Sequence, residues 1–319
     1  MEREMKVILR LLAGIIAVVV IAITCLMLTF TASRLDVAAV EVGDLPPASP
    51  PSGMSISALP TGSMESRAAF AFRGGAWNDI RQFSMTALLV RHPRGNLLID
   101  TGFGKNVDDH VKMMPALMQK MTTYSKDAPV AAQLAGGGIK PGDLAGVILT
   151  HAHWDHVSGL DDLGNVPVLI DSAEKGFIDA KTHNTELLNS FHNINYKQYE
   201  FEGGPYLGFP SSHDVWGDGS VVIVPAPGHT PGSVVVFVNL PSGTRYALLG
   251  DLVWQSEGIE LPSEKPWLLR RLIGEDDDQV HKDIAIIRSI GKKYREIHLV
   301  PAHDPAAFRM IPVFPDSAH

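Results

Sequence analysis

Apolar and polar positions alternate along this chain in two rhythms. Short apolar runs closed by glycine, proline or aspartate recur at Met85 to Val90, Asn96 to Ile99, Gly146 to Leu149, Val166 to Ile170, Val221 to Val224, Ser233 to Val238, Tyr246 to Leu249 and Ile297 to Val300. Their length and their bounding residues predict strands. His92-Pro93-Arg94-Gly95 between the first two predicts a turn and a hairpin. Helical spacing appears at Val107 to Met121, broken by a kink at Pro115, and again at Ser172 to Ala180 and Asp278 to Tyr294. Clusters of strands with helices between and outside them predict an α/β fold, two sheets packed face to face with helices on the outer faces.

A third pattern precedes these. Leu11 to Phe30 carries no charge, and as a helix at about 1.5 Å per residue it covers about 30 Å, the thickness of a bilayer hydrocarbon core. Arg3, Lys6 and Arg10 precede it, and only Arg34 follows before Arg67. The positive-inside rule therefore predicts a cytoplasmic N-terminus and an extracytoplasmic (periplasmic or extracellular) remainder. A cleaved signal peptide has a shorter apolar region and a small-residue cleavage site; Thr31-Ala32-Ser33 fits that poorly, so the reading is an uncleaved transmembrane anchor. Leu45 to Gly53 is rich in proline and serine, which suits a semi-rigid spacer. The expected division is a cytoplasmic stretch 1–10, a signal anchor 11–32, a linker 33–54 and one folded domain 55–319.

Chemistry concentrates at strand ends. Thr150-His151-Ala152-His153-Trp154-Asp155-His156 follows an apolar strand. Residues two apart in extended backbone point the same way, so His151 and His153 present two imidazoles to one side. Asp155 and His156 follow a bend and suit a second ion or a substrate. A lone histidine is more often a surface or satisfied core residue, but this density of ligand types points to zinc, iron, cobalt or manganese. Pro227-Gly228-His229-Thr230-Pro231-Gly232, Gly250-Asp251 and Pro301-Ala302-His303-Asp304 each end a further predicted strand.

Taken in order, these motifs, with Asp100-Thr101-Gly102, resemble the metallo-β-lactamase-fold hydrolases. The resemblance runs from about Ser55 to the C-terminus and implies an αββα sandwich. It implies that His151, His153 and His229 hold one divalent ion, that Asp155, His156 and His303 hold a second, and that Asp251 bridges them; zinc is the expected metal. Asp100 would orient a ligand histidine. A hydroxide bridging the ions would attack the substrate, with Asp155 moving the proton. Asp155 and Asp251 are thus the expected catalytic residues.

Within that superfamily the bridging Asp251 disfavours β-lactam hydrolysis, and His153 disfavours the flavodiiron branch. A formal charge of -8 disfavours nucleic acid, and only Arg309 follows His303, which weakens a glyoxalase-type reading. The pattern looks most like the acyl-homoserine-lactone lactonases, which place a tyrosine where Trp254 stands. An indole donates one hydrogen bond and is no phenol. The expectation is a membrane-anchored dinuclear hydrolase of a small ester, lactone or related acyl substrate. The alternatives are a mono-iron, persulfide-dioxygenase-like oxidoreductase, a phosphodiesterase or thioesterase on the same site, and a metal-dependent binding protein.

Met113, Met114, Met118 and Met121 at helical spacing are ordinarily core. The sharper reading makes Met114 and Met118 an adaptable acyl-chain wall, faced by Trp254, Trp267, Leu268 and Leu269. Arg270 and Arg271 are expected on an exposed helix surface. His92, His110, His183 and His281 are left as structural or exposed. The single cysteine, Cys25, lies in the apolar run, so cysteine chemistry says nothing about compartment.

Overall fold

The computed structural model describes residues 1–319. Twelve strands form two sheets: β1 (Ser55–Arg67), β2 (Ile80–Arg91), β3 (Asn96–Ile99), β4 (Thr123–Lys126), β5 (Leu144–Ile148), β6 (Pro167–Ile170), β7 (Asn195–Gln198), β8 (His213–Asp214), β9 (Val221–Pro225), β10 (Val234–Asn239), β11 (Arg245–Leu248) and β12 (Ile297–Val300). The larger sheet runs β4-β1-β2-β3-β5-β6-β7 and the smaller β12-β11-β10-β9-β8. The helices used below are α1 (Glu2–Leu28), α2 (Val107–His110), α3 (Ala116–Met121), α4 (Ser172–Asp179), α5 (Trp267–Ile273) and α6 (Asp277–Lys293).

The unbroken apolar runs follow from burial on both faces of each sheet. In β10, Val234, Val236 and Val238 enter the core between the sheets, whereas Val235 and Phe237 face outward into a second core under α6. β9 repeats this with Val221 and Ile223 inward and Val222 and Val224 outward. In the larger sheet Leu88, Val90, Leu97, Ile99 and Ile148 face the inter-sheet core. Ala87, Leu89, Leu98 and Val147 face a third core roofed by helices that include α4. This is the two-sheet architecture expected from the pattern.

Several features differ from the sequence reading. β1 is the longest strand and was not expected, because Pro60 and Gly62 interrupt its pattern; the chain absorbs them in a register shift between Pro60 and Gly62. Edge strands β4, β7 and β8 are short and polar and gave no apolar run. Val107 to Met121 is not one kinked helix but α2, a single 3-10 turn and α3, separated at Met114-Pro115, where the pre-proline residue is extended. The stretch 33–54, expected as a spacer, has no helix or strand, yet it lies along the smaller sheet's outer core. Val42 is buried there with Leu35, Val40 and Leu45 alongside, and Tyr294 Oη donates to Gly43 O at 2.6 Å.

Asp283 on α6 is buried and its Oδ2 has no hydrogen-bond partner. Burial pushes its carboxyl up to about 8. The folded state therefore favours the protonated form, so the associated stability is full at acid pH and is lost as pH rises through about 8. Asp283→Asn is expected to mimic the neutral acid. Its unfolding free energy, read from urea titrations, should exceed that of the parent by an amount that grows from about pH 5 to about pH 9, reaching on the order of a few kcal/mol. Identical midpoints at both pH values would show that the carboxylate is solvated.

Candidate metal centre

The expected site residues all leave the C-terminal ends of strands at one edge of the sandwich. Asp100 follows β3, residues 151–156 follow β5, His229 follows β9, Asp251 follows β11 and His303 follows β12. Their ligand atoms fall into three groups, each within 4.8 Å: His151, His153 and His229; His151, His156 and Asp251; Asp155, His156 and His303. Asp251 lies between the groups. Its Oδ2 is 3.4 Å from His229 Nε2 and 4.0 Å from His151 Nε2, and its Oδ1 is 3.2 Å from His156 Nε2 and 3.0 Å from His303 Nε2. Asp155 Oδ2 is 3.4 Å from His303 Nε2.

An outer tie aims most of these rings. Asp100 sits in the left-handed region at φ 55, a strained conformation for a residue with a side chain. Its carboxylate accepts from Thr150 N at 2.8 Å and Thr150 Oγ1 at 2.7 Å, and pairs with His156 Nδ1 at 2.8 Å. His303 Nδ1 donates to Ser84 O at 2.9 Å, and His229 Nδ1 pairs with Glu275 Oε1 at 2.7 Å. With the outer nitrogen held, the inner nitrogen is left to coordinate. Gly232 lets the His229 loop lie against Glu174: a Cβ there would meet Glu174 N at 2.2 Å. The buried Glu174 carboxylate accepts from Ala152 N, Thr230 Oγ1 and Gly232 N, joining the two histidine loops.

The electrostatics fit cations. Burial, reinforced by neighbouring imidazoles, holds His151 and His153 well below the ordinary histidine range, so both are neutral donors. Burial opposes charge on His156 and His303 too, but Asp100, Asp251 and Asp155 around the first, and Asp251 and Asp155 around the second, raise both. Asp251 is held well below the carboxylate range, burial notwithstanding, by His303 and His156. Nε2 of His151, His153 and His156 and Oδ1 of Asp251 are buried without hydrogen-bond partners. Buried polar atoms are nearly always satisfied, and divalent cations are the partners this donor set suits.

The centre floors a cavity walled by Met64, Phe70, Phe83, Met113, Met114, Met118, Met121, Trp254, Leu269, Leu272 and Ile273, with His153, Asp155, His229, Asp251 and His303 at its polar end. Residues 81–291, more than half of the chain, match the Metallo-beta-lactamase superfamily. The chain belongs to the metallo-beta-lactamase superfamily. A probable metallo-hydrolase of Mycobacterium tuberculosis is 28% identical over 245 residues, 70% of this chain and 75% of that protein. An N-acyl homoserine lactonase from a Bacillus species is 25% identical over 236 residues, 72% of this chain and 84% of that protein. The solved structure of an N-acyl homoserine lactone hydrolase, with N-hexanoyl-L-homoserine bound at its catalytic metal centre, superposes with a TM-score of 0.65 at 19% identity. That match covers 83% of this chain and 98% of the other, and it is one of fold. Family, relatives and donor set make this metallo-beta-lactamase-fold chain a hydrolase-type enzyme.

Some expectations about the wall need correction. Trp254 and Leu269 line the cavity, but Trp267 and Leu268 do not; Trp267 begins α5 with 47% exposure, and the next turns supply Leu272 and Ile273 instead. Arg270 is not an exposed surface arginine. It is buried, with Nη2 3.1 Å from Glu264 Oε1 and Nε donating to Lys265 O at 3.0 Å, while Arg271 is exposed. His183 stands at the cavity rim, and His92 stacks on Trp216 at 3.8 Å between ring centres. Sequence reading missed Glu275, Lys265 and Glu174. Glu275 lies in the run Glu275-Asp276-Asp277-Asp278, which reads as a solvated helix start, and nothing local marks one of its carboxylates as buried.

Proposed function

We propose that this enzyme is a dinuclear metal-dependent hydrolase of acyl esters or lactones, with zinc as the metal. His151, His153 and His229 would hold one ion, Asp155, His156 and His303 the other, with Asp251 within reach of both. The observation that carries the reading is Asp251 reaching both histidine groups from the polar end of an apolar cavity. The relatives named as lactonases support an acyl substrate.

Bound divalent cations would supply an acidified water and a polarised carbonyl. The protein supplies the rest. Met114, Met118 and the facing Trp254 and Leu269 seat the acyl chain and exclude water. Asp100, Glu275 and Ser84 fix the histidine rings. Asp155, half-buried and lining the cavity, carries the proton to the leaving oxygen. Trp254 Nε1 donates to Asp251 Oδ2 at 2.7 Å, so the indole holds the aspartate, and its one N–H is not free for the substrate carbonyl. The second ligand group favours this chemistry over the mono-iron alternative, which needs only the first.

The same reading has residues 1–10 in the cytoplasm, 11–32 as the membrane anchor, 33–54 as the connection and 55–319 as the catalytic domain outside. Support comes from α1, which is long and apolar enough to cross a membrane and whose residues are almost all exposed.

The test is metal content and turnover of the full chain in mild detergent. Two zinc equivalents are expected. Chelation should abolish hydrolysis of lactone and ester probes, zinc should restore it, and His153→Ala should hold about one equivalent. One iron per chain with oxygen consumption would overturn the proposal.

A further inference from the structure

The end of the apolar N-terminal helix is packed into the wall of the catalytic cavity. Only Thr29 separates Leu28, the last residue of α1, from Phe30, and Phe30 is buried. Its ring lies 6.0 Å from Phe70 and 5.0 Å from Trp77, and Phe70 lines the cavity. Phe30 shares one apolar cluster with Met114 and Trp254, against which Leu26 of α1, Met118 and Met121 also pack. Arg73 fixes the junction, donating to Thr31 O at 3.2 Å and Leu28 O at 3.4 Å.

This leaves no slack between membrane span and site. If Leu11 to Phe30 fills the hydrocarbon, Phe30 marks its outer boundary, and two residues of chain reach no more than roughly 7 Å. Phe70 and the cavity wall then lie at the depth where tryptophan side chains favour the lipid interface, and Trp77, packed beside Phe30, is 43% exposed. The solvent side of the cavity is apolar as well: Met113, Met118, Met121 and Leu272 on its lining are partly exposed. On the helices that carry Met118 and Leu272, Leu117 on α3 is 41% exposed and Trp267 on α5 is 47% exposed. Large apolar side chains grouped around a cavity mouth mark an interaction surface, and a helix seated in the same cluster identifies what covers it.

We infer that the cavity mouth rests on the surface of the bilayer that α1 spans, and that the substrate is a long-chain acyl amphiphile entering the metal centre from that bilayer. The substrate half rests on the hydrolase reading; the seating rests on α1 as a membrane span. Leu117 and Trp267 insert at the rim, and the acyl chain passes along the methionine wall while its ester end meets the polar floor.

The full chain would be reconstituted in phosphatidylcholine vesicles carrying bromine near the headgroup end of the acyl chains, or near their terminus. The shallow quencher should quench the emission lost on Trp77→Phe and Trp267→Phe, and the deep quencher should do so at least about threefold less. Quenching by neither, as when a second copy covers the rim, overturns the seating. In the same vesicles p-nitrophenyl palmitate should be preferred over p-nitrophenyl butyrate, and Leu117→Ser with Trp267→Ser should lower that preference about tenfold. Equal turnover of both esters overturns the delivery. Turnover of neither ester counts against the hydrolase reading, and the quenching still decides the position of the cavity by itself.

Discussion

Asp251→Asn is expected to lower kcat/KM for any hydrolysed ester or lactone by about a thousandfold or more, and to leave the purified chain with less than one tightly held metal per molecule. Asparagine keeps the shape and can still accept from Trp254 Nε1, so the loss isolates the charge. Asp251 is the one carboxylate within reach of both histidine groups, at 3.4 Å from His229 and at 3.0 and 3.2 Å from His303 and His156. Its ionisation helps draw positive charge there: against burial, Asp100 and then Asp251 raise His156 well above the ordinary imidazole value, and Asp251 raises His303. Metal-assisted stabilisation of transition-state charge is worth several kcal/mol, and each 1.4 kcal/mol is about tenfold in rate. Metal analysis after dialysis and steady-state kinetics with added zinc are the two measurements. A variant that holds two zinc ions and turns over within about tenfold of the parent would remove Asp251 from the shared position.

Glu275→Ala is expected to be the most destabilising single change near the site, and to act through Lys265. Lys265 Nζ is buried, paired with Glu275 Oε1 at 2.6 Å and otherwise bonded to Asp251 O at 2.8 Å. Burial works against charge on Glu275, yet Lys265 and His229 hold its carboxyl below the ordinary value. Deleting one partner of a buried pair leaves an uncompensated charge and costs about 3 to 5 kcal/mol, or on the order of 10 °C in melting temperature for a domain of this size. His229 Nδ1 also loses its partner, and such losses weaken metal affinity or activity about 10- to 100-fold. Glu275→Leu with Lys265→Met separates the two effects. It is expected to recover most of the melting temperature, because neither member of the pair is left as an uncompensated charge, and to recover none of the metal affinity. A double variant that regains both would mean that Glu275 does not hold the His229 ring.

The fold was legible where burial is symmetric. Strands such as β9 and β10 are apolar on both faces and announce themselves as continuous runs. β1 did not, since Pro60 and Gly62 break its pattern and only its long antiparallel pairing with β2 holds it extended. The candidate ligand set was legible because chelation demands rare residue types at strand ends. His151, His153, Asp155 and His156 are close in sequence, and His229, Asp251 and His303 each stand alone on a tight glycine- or proline-bounded loop.

What the sequence determined by itself was the sandwich of sheets, the candidate ligands and the apolar N-terminal span, because each depends on side-chain type repeated at a local period. What only the tertiary structure decided was which acidic and basic residues are buried together. Glu275 meets Lys265 and His229 across 10 and 46 residues of chain, and Arg270 is enclosed rather than solvated. It also placed the end of the apolar N-terminal helix beside the cavity wall, since Phe30 and Phe70 lie 6.0 Å apart in space and 40 positions apart in the chain. Such pairings are set by how sheets and helices pack. No local pattern encodes them, because a charged or aromatic residue looks the same in sequence whether its partner is water or a distant side chain.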